Sequence, residues 1–178
     1  MKRRKKKPSA KQRELQATAH YEAGHVVAAL HYELKFTYVT INPNEPPGSL
    51  GHVHVRRLVS YFFRLFEWGE ATDRARMDVE HQIITMFTAG AAEARFRGRG
   101  DYIGARKDRE DSAKLARSGR AGTDLGRLKK YLDYAQEVAM CFVADNRNWN
   151  NIHAVAKMLL GHPQHTLSQR EVRAVMIK

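Results

Sequence analysis

The chain has 178 residues, a length that suits one domain with a sizeable core. Hydrophobic residues make up 43% of it and charged residues 28%, which excludes collagen-like, low-complexity and largely disordered proteins. Its apolar runs are too short to predict a transmembrane helix. A secretory signal has an apolar segment after its basic start, and no such segment follows the basic N-terminus here. Because Cys141 is the single cysteine, no disulfide within the chain is possible, and we expect a reducing, cytoplasmic location.

The formal charge of +12 is concentrated at the N-terminus. Residues 1–13 hold eight basic residues and no acid, so the rest of the chain has 23 basic and 19 acidic residues. A run of like charges repels itself, so we expect residues 1–8 to be a disordered basic tail and residues 9–178 to form a single domain. Such a tail either contacts an acidic protein, nucleic acid or an anionic membrane surface, or only improves solubility.

Hydrophobic periodicity predicts a mostly helical α+β fold with a small sheet of two or three strands. The first helix, residues 10–34, begins with a capping box between Ser9 and Gln12. Strands are predicted at residues 36–42 and 52–55, with residues 58–66 as a further candidate. Further helices are predicted at residues 72–96, 107–117, 124–146, 150–160 and 169–177.

The segment most informative about function is residues 19–28, Ala-His-Tyr-Glu-Ala-Gly-His-Val-Val-Ala. Glu22 and His25 lie three residues apart, so they share one face of the predicted helix and can meet one ligand. In zinc peptidases with the motif His-Glu-x-x-His, the two histidines bind the metal and the glutamate takes a proton from the metal-bound water. Here Tyr21 stands in the position of the first histidine, with His20 beside it.

With its flanking residues, this segment resembles the His-Glu-Ala-Gly-His-Ala helix of the FtsH-type ATP-dependent zinc peptidase family. The resemblance continues in order through Val-Thr-Ile-Asn-Pro, Gly-His-Val-His-Val, the Ala-Gly-Ala-Ala-Glu-Ala helix end and Gly-Ala-Arg-Lys-Asp, so that it covers residues 17–117. It implies the helical fold of that family's protease domain. It also implies that Asp108, at the position of the family's aspartate ligand, is the third zinc ligand.

The resemblance therefore implies a stand-alone zinc metallopeptidase that hydrolyses peptide bonds. Glu22 would be the catalytic base, while His25, Asp108 and Tyr21 would hold the zinc ion. A peptide or unfolded protein would bind by strand addition along residues 53–55. The family's protease domain normally follows a membrane anchor and an ATPase domain, but we expect neither here. The chain has no Gly-x-x-x-x-Gly-Lys-Ser/Thr motif, and we expect no ATP binding.

Tyr21 leaves three states of the site open, because a phenol must lose its proton to bind a metal well. In the first, Tyr21 is a phenolate beside His25 and Asp108, and zinc lowers its pKa. In the second, a π-bulge near residues 23–24 turns His20 into the missing position. In the third, the domain holds no zinc and is a non-catalytic relative that binds peptide or protein partners.

Other candidate residues lie outside the predicted site. His52 and His54 share a face of one strand, but we expect them to bind no metal. Glu93 either supports the site by hydrogen bonding or lies at a helix surface. Asp124 is better suited to cap a helix than to bind a metal. Cys141 has apolar sequence neighbours, which predicts a buried structural thiol.

Overall fold

A long N-terminal helix positions the rest of the fold. A computed structural model describes residues 9–43, 50–55, 72–98, 106–118 and 124–176. The helices are α1 (Ala10–His31), α2 (Asp73–Arg97), α3 (Arg106–Ala116), α4 (Leu125–Ala144), α5 (Asn146–Gly161) and α6 (Gln169–Val175), and the strands are β1 (Phe36–Thr40), β2 (His52–Val55) and β3 (Thr166–Ser168). Helix α1 packs mainly against α2 and α5, while α2 also packs against α3 and α4.

The structure confirms the predicted mostly helical α+β class with a small sheet. Its strands lie in the order β2-β1-β3, and both pairings are antiparallel. None of the described helices combines the length and the apolar character that are needed to cross a membrane. The predicted basic tail, residues 1–8, and the further strand candidate, residues 58–66, lie outside the described residues.

Two helices begin with a capping box, one of which is the box predicted at Ser9. At α1, the Ser9 hydroxyl accepts from the Gln12 backbone N–H at 3.2 Å, and the Ser9 backbone N–H donates to the Gln12 side chain at 2.8 Å. A second capping box joins Ser168 and Glu171 at α6. Asp124 is the N-cap of α4, as predicted, and accepts from the backbone N–H of Arg127. These contacts satisfy N–H groups that a helix start leaves without partners.

Helix α1 is three residues shorter than the predicted 10–34. Glu33 adopts a left-handed conformation with φ of 59°, which ends the helix after His31. The backbone N–H of Leu34 then bonds back to the carbonyl of Ala29 at 2.7 Å. This reversal buries the Leu34 side chain in the core, so tertiary burial ends a helix that local propensity would extend.

Two further differences from the prediction have clear physical causes. Helix α5 starts at residue 146 instead of 150 because Asp145 accepts from the Asn148 backbone N–H at 2.9 Å, while the Asp145 N–H donates to the Cys141 carbonyl at 3.1 Å. Asp145 thus ends one helix and starts the next. Strand β3 was not predicted, because three residues are too few to show an alternating pattern. Its central residue, Leu167, is fully buried opposite Val39.

The prediction that Cys141 is a buried thiol is wrong, because its side chain is exposed. On α4, the core is contacted by Ala135, Ala139, Phe142 and Val143. Cys141 lies about 200° around the helix from residue 139, on the opposite face. Apolar neighbours in sequence therefore do not place it in the core.

The contact between α1 and α2 is closest at Gly24. A Cβ atom at this position would lie 2.9 Å from both the Ala89 Cα and the Ala92 Cβ, and 3.0 Å from the Thr88 carbonyl oxygen. Most of these atoms belong to the α2 backbone or lie next to it, so they cannot rotate away. Gly24 allows the two helices to approach at the height of Glu22 and His25.

We expect Gly24→Ala to destabilise the protein by about 1–3 kcal/mol, because overpacking outweighs a gain in helix propensity of up to about 1 kcal/mol. Urea denaturation would measure the change. Gly161→Ala is the matched control, since nothing lies within 4 Å of a Cβ atom there. We expect that control to be neutral or slightly stabilising. Equal losses in both variants would show that close packing at Gly24 is not the cause.

Candidate functional site

A cleft of about 520 Å³ lies between α1, β2, α2 and α3. Its polar lining groups include Tyr21, Glu22, His25, Gln82, Thr85, Glu93, Asp108 and Asp111, and its apolar lining groups include Ala29, Leu34, Phe36, Leu50, Val53 and Met86. All four residues of the predicted site, Glu22, His25, Asp108 and Tyr21, lie in this lining. The structure therefore brings together side chains from α1 and from the first turn of α3.

Helical spacing places the three α1 residues of the site. Tyr21 and His25 are four residues apart, and their rings meet edge to face with centroids 5.1 Å apart. Glu22 lies three residues before His25 and faces the same cleft. Helix α1 is a regular α-helix from residue 10 to 31, so this spacing holds throughout the segment.

One carboxylate oxygen joins the phenol and the imidazole. The Tyr21 hydroxyl donates a short hydrogen bond to Asp108 Oδ2. His25 Nε2 lies 3.1 Å from the same oxygen. We call this arrangement the Tyr21–Asp108–His25 triad. It connects α1 to the start of α3, and it gives each of the three side chains a polar partner without any further group.

Charge pairing sets the protonation of the triad. Burial alone would lower the pKa of His25, but the charge of Asp108 and their hydrogen bond outweigh it and raise the pKa. Burial alone would raise the pKa of Asp108, but His25 and the hydrogen bonds lower it. Burial raises the pKa of Tyr21, and the charge of Asp108 raises it further, so the phenol keeps its proton. These shifts favour an ion pair between His25 and Asp108 beside a neutral phenol.

Glu22 lines the same cleft but is not part of the triad. It is 4% exposed, and burial raises its pKa to about 7, although the charge of His25 opposes this change. Gly51 packs directly on it: a Cβ atom there would lie 2.7 Å from Glu22 Oε1. A buried carboxyl group that titrates near neutral pH in a cleft is suited to accept or release a proton.

His20 does not take part in the site, which contradicts the π-bulge alternative. Its Nδ1 donates to the Gln16 carbonyl at 2.7 Å, and its Nε2 lies 3.1 Å from Nδ1 of His153. The ring also stacks on Phe96, with centroids 4.1 Å apart. Since α1 has no π-bulge, His20 stays on the face that packs against α5.

Glu93 lies in the cleft lining and is 5% exposed, so the alternative that it is a surface residue is wrong. Its Oε1 accepts from Arg97 Nε at 2.8 Å, and Arg97 also binds both carboxylate oxygens of Glu14. This fork connects the first turns of α1 to the end of α2. Within the described residues, Glu93 Oε2 has no hydrogen-bond partner.

The sequence did not identify several groups that shape the cleft. Gly51 contacts Glu22, and Met86 lines the wall formed by α2. His52, which we placed outside the site, also borders the cleft, whereas His54 stacks on Tyr38 with centroids 5.1 Å apart. A glycine before a strand and a methionine on a helix carry no chemical signal of their own, so tertiary proximity alone reveals them.

The donor set does not fit a resident zinc ion as the side chains are arranged. Catalytic zinc sites use three protein ligands such as imidazole, carboxylate or thiolate groups. Of the three predicted ligands, His25 and Asp108 bind each other, and the third, Tyr21, is a protonated phenol. Across the described residues, no three His, Cys, Asp or Glu side chains are grouped so that they could share a metal ion.

No known protein family model and no curated protein matches this chain in sequence. The resemblance to FtsH-type peptidases therefore stays a prediction that rests on the quoted motifs. The convergence of Tyr21, Glu22, His25 and Asp108 on one cleft is a structural observation that is independent of it.

We expect His20 to weaken the fold in acid. Its pKa is lowered from 6.5 to about 4, chiefly by burial, so the unfolded chain binds a proton at pH values where the folded chain does not. Stability should fall as the pH drops from 6.5 to 4, by up to about 3 kcal/mol, and level off below.

Urea denaturation at several pH values would measure this loss, with His20→Phe as the control because it keeps an aromatic ring but cannot titrate. The variant should lose less stability than the natural protein over this pH range. The same slope in both proteins would show that another group causes the acid sensitivity.

Proposed function

We propose that this protein binds an extended segment of peptide or unfolded protein in the cleft without hydrolysing it. The observation that carries this proposal is the composition of the cleft: a sheet strand and apolar walls lie beside polar side chains that already bind one another. This corresponds to the non-catalytic alternative for a chain that resembles the FtsH protease domain.

Strand β2 supports binding of an extended chain. Among the described strands, β2 pairs with β1 on one side, and no described strand lies on its other side. His52 and Val53 of this strand line the cleft. A peptide aligned along β2 would gain main-chain hydrogen bonds, and its alternate side chains would point into the cleft.

The apolar wall indicates which side chains such a peptide carries. Leu34, Phe36 and Met86 are apolar residues of the cleft lining, and Leu50, which also lines the cleft, is 69% exposed. An exposed leucine beside a pocket gains free energy when a ligand covers it. We therefore expect segments with apolar residues at alternating positions to bind best, as they occur in unfolded proteins.

The test uses a blocked, fluorescein-labelled decapeptide in which leucine alternates with glutamate. Leu50→Ser should weaken the binding of this peptide by about tenfold, because about 1.4 kcal/mol of apolar contact is lost. Fluorescence anisotropy would measure the affinity. Leu125→Ser is the matched control, because Leu125 is 70% exposed on α4 and does not line the cleft.

The mode of binding has its own test. The same decapeptide with N-methyl groups on alternate amides cannot form one row of main-chain hydrogen bonds. We expect it to bind much more weakly than the unmodified peptide. Equal affinity of the two peptides, or equal losses in the Leu50 and Leu125 variants, would contradict strand addition in this cleft.

The second candidate is the zinc metallopeptidase that the resemblance implies, and the position of Glu22 favours it. This residue is buried, faces the cleft, and has a pKa near neutrality, which suits a group that takes a proton from water. Because the donor set does not fit zinc, the only role that we assign for this candidate is that of Glu22 as a proton acceptor.

Hydrolysis distinguishes the two candidates. We expect fluorescein-labelled casein to remain intact with the natural protein, with or without added zinc chloride, and to the same extent with Glu22→Gln. A metallopeptidase would instead release fluorescent peptides, and Glu22→Gln would abolish that release while leaving the fold unchanged. Circular dichroism would check the fold of the variant.

Two finer expectations accompany the proposal. The single cysteine favours a cytoplasmic location. The basic tail, residues 1–8, would recruit an acidic partner or nucleic acid through screened electrostatic attraction, although it lies outside the described residues.

A further inference from the structure

We propose that Tyr21 keeps divalent metal ions out of the cleft. Its hydroxyl group donates to the same Asp108 oxygen that faces His25, and its ring occupies the helix position from which a second imidazole would reach the same point. This inference concerns metal binding alone and does not depend on whether the cleft binds peptide.

The first step of the argument is the occupancy of Asp108 Oδ2. A carboxylate oxygen has two lone pairs. The Tyr21 hydroxyl takes one of them, and His25 Nε2, 3.1 Å away, faces the other. A metal ion that approached this oxygen would have to replace both partners.

The second step is the engagement of His25. Its Nε2 lies 3.1 Å from Asp108 Oδ2, so this ring nitrogen already has a polar partner in the protein. The imidazole and the carboxylate that would hold a metal are bound to each other instead.

The third step is the lack of a third ligand for a metal at the triad. His20 is held by the Gln16 carbonyl and His153 on the α5 side of α1. Glu22 and Glu93 also line the cleft, but across the described residues no three His, Cys, Asp or Glu side chains are grouped so that they could share a metal ion. A metal at the triad would therefore be left with His25 and Asp108, fewer than the three protein ligands of catalytic zinc sites.

The geometry of α1 implies that a single side chain decides this outcome. A histidine at position 21 would lie one turn before His25 on the same face of a regular helix, as in His-Glu-x-x-His. It would also lack the hydroxyl group that holds Asp108. The resulting set of two imidazoles and one carboxylate is a complete set of zinc ligands.

Isothermal titration of the full-length protein with zinc chloride tests this inference. Tyr21→His should bind about one zinc ion, at least about 100-fold more tightly than the natural protein, since even outer partners of a zinc ligand change affinity about 10- to 100-fold. Tyr21→Phe should bind zinc about 2- to 10-fold more tightly than the natural protein, because it frees Asp108. This factor corresponds to the net free energy of the one hydrogen bond that zinc no longer has to break.

The sign of the Tyr21→Phe change is decisive, and this variant keeps the ring that packs at the site. Weaker zinc binding than in the natural protein would show that the phenol is a ligand and would overturn the proposal. Stoichiometric zinc in the natural protein that is lost in His25→Ala would also overturn it. So would a folded Tyr21→His variant that binds zinc no better; if that variant does not fold, Tyr21→Phe alone decides. Decapeptide anisotropy reports separately on the proposed function.

Discussion

The absence of a side chain at Gly24 is the constraint on which the site depends. It allows α1 and α2 to meet at backbone distance, with Ala89 and Ala92 on the facing surface. Since α1 is a regular helix, the position of Gly24 also fixes the direction in which the side chains within one turn of it point. Tyr21, Glu22 and His25 consequently face a cleft whose far wall is built on α2 and α3. A larger residue at this crossing would separate the helices and widen the site.

Much of the fold was predictable because local signals and tertiary contacts agree. The capping residues Ser9 and Ser168 mark helix starts, and Gly98, with φ of 64°, ends α2. Prediction fails where burial overrides propensity. Leu34 enters the core only because the backbone turns at residue 33, and Cys141 points away from the core although its sequence neighbours are apolar. Such outcomes depend on which helix face meets another element, and a single sequence does not contain that information.

The residues of the candidate site were predictable, but the hydrogen bonds between them were not. Helical spacing placed Glu22 and His25 on one face, while the inclusion of Asp108 came from the resemblance. The structure places all of them in one cleft. The hydrogen bond from Tyr21 to Asp108 depends on the distance between α1 and α3, and no local pattern encodes it. The three alternatives that Tyr21 raised from sequence therefore needed coordinates: the regular helix removes the π-bulge, and the shared carboxylate oxygen is the basis for our proposal of a cleft without zinc.

The junction at Asp145 makes the helical packing sensitive to chain length. This single extended residue separates α4 from α5, and both its backbone N–H and its carboxylate are bonded. Because only one residue connects the two helices, an inserted residue would rotate the following helix by about 100° about its axis. His153 and Trp149 would then leave the ring of His20, and α1 would lose an aromatic support directly behind the site. Homologous chains should therefore vary in length elsewhere and keep this junction constant.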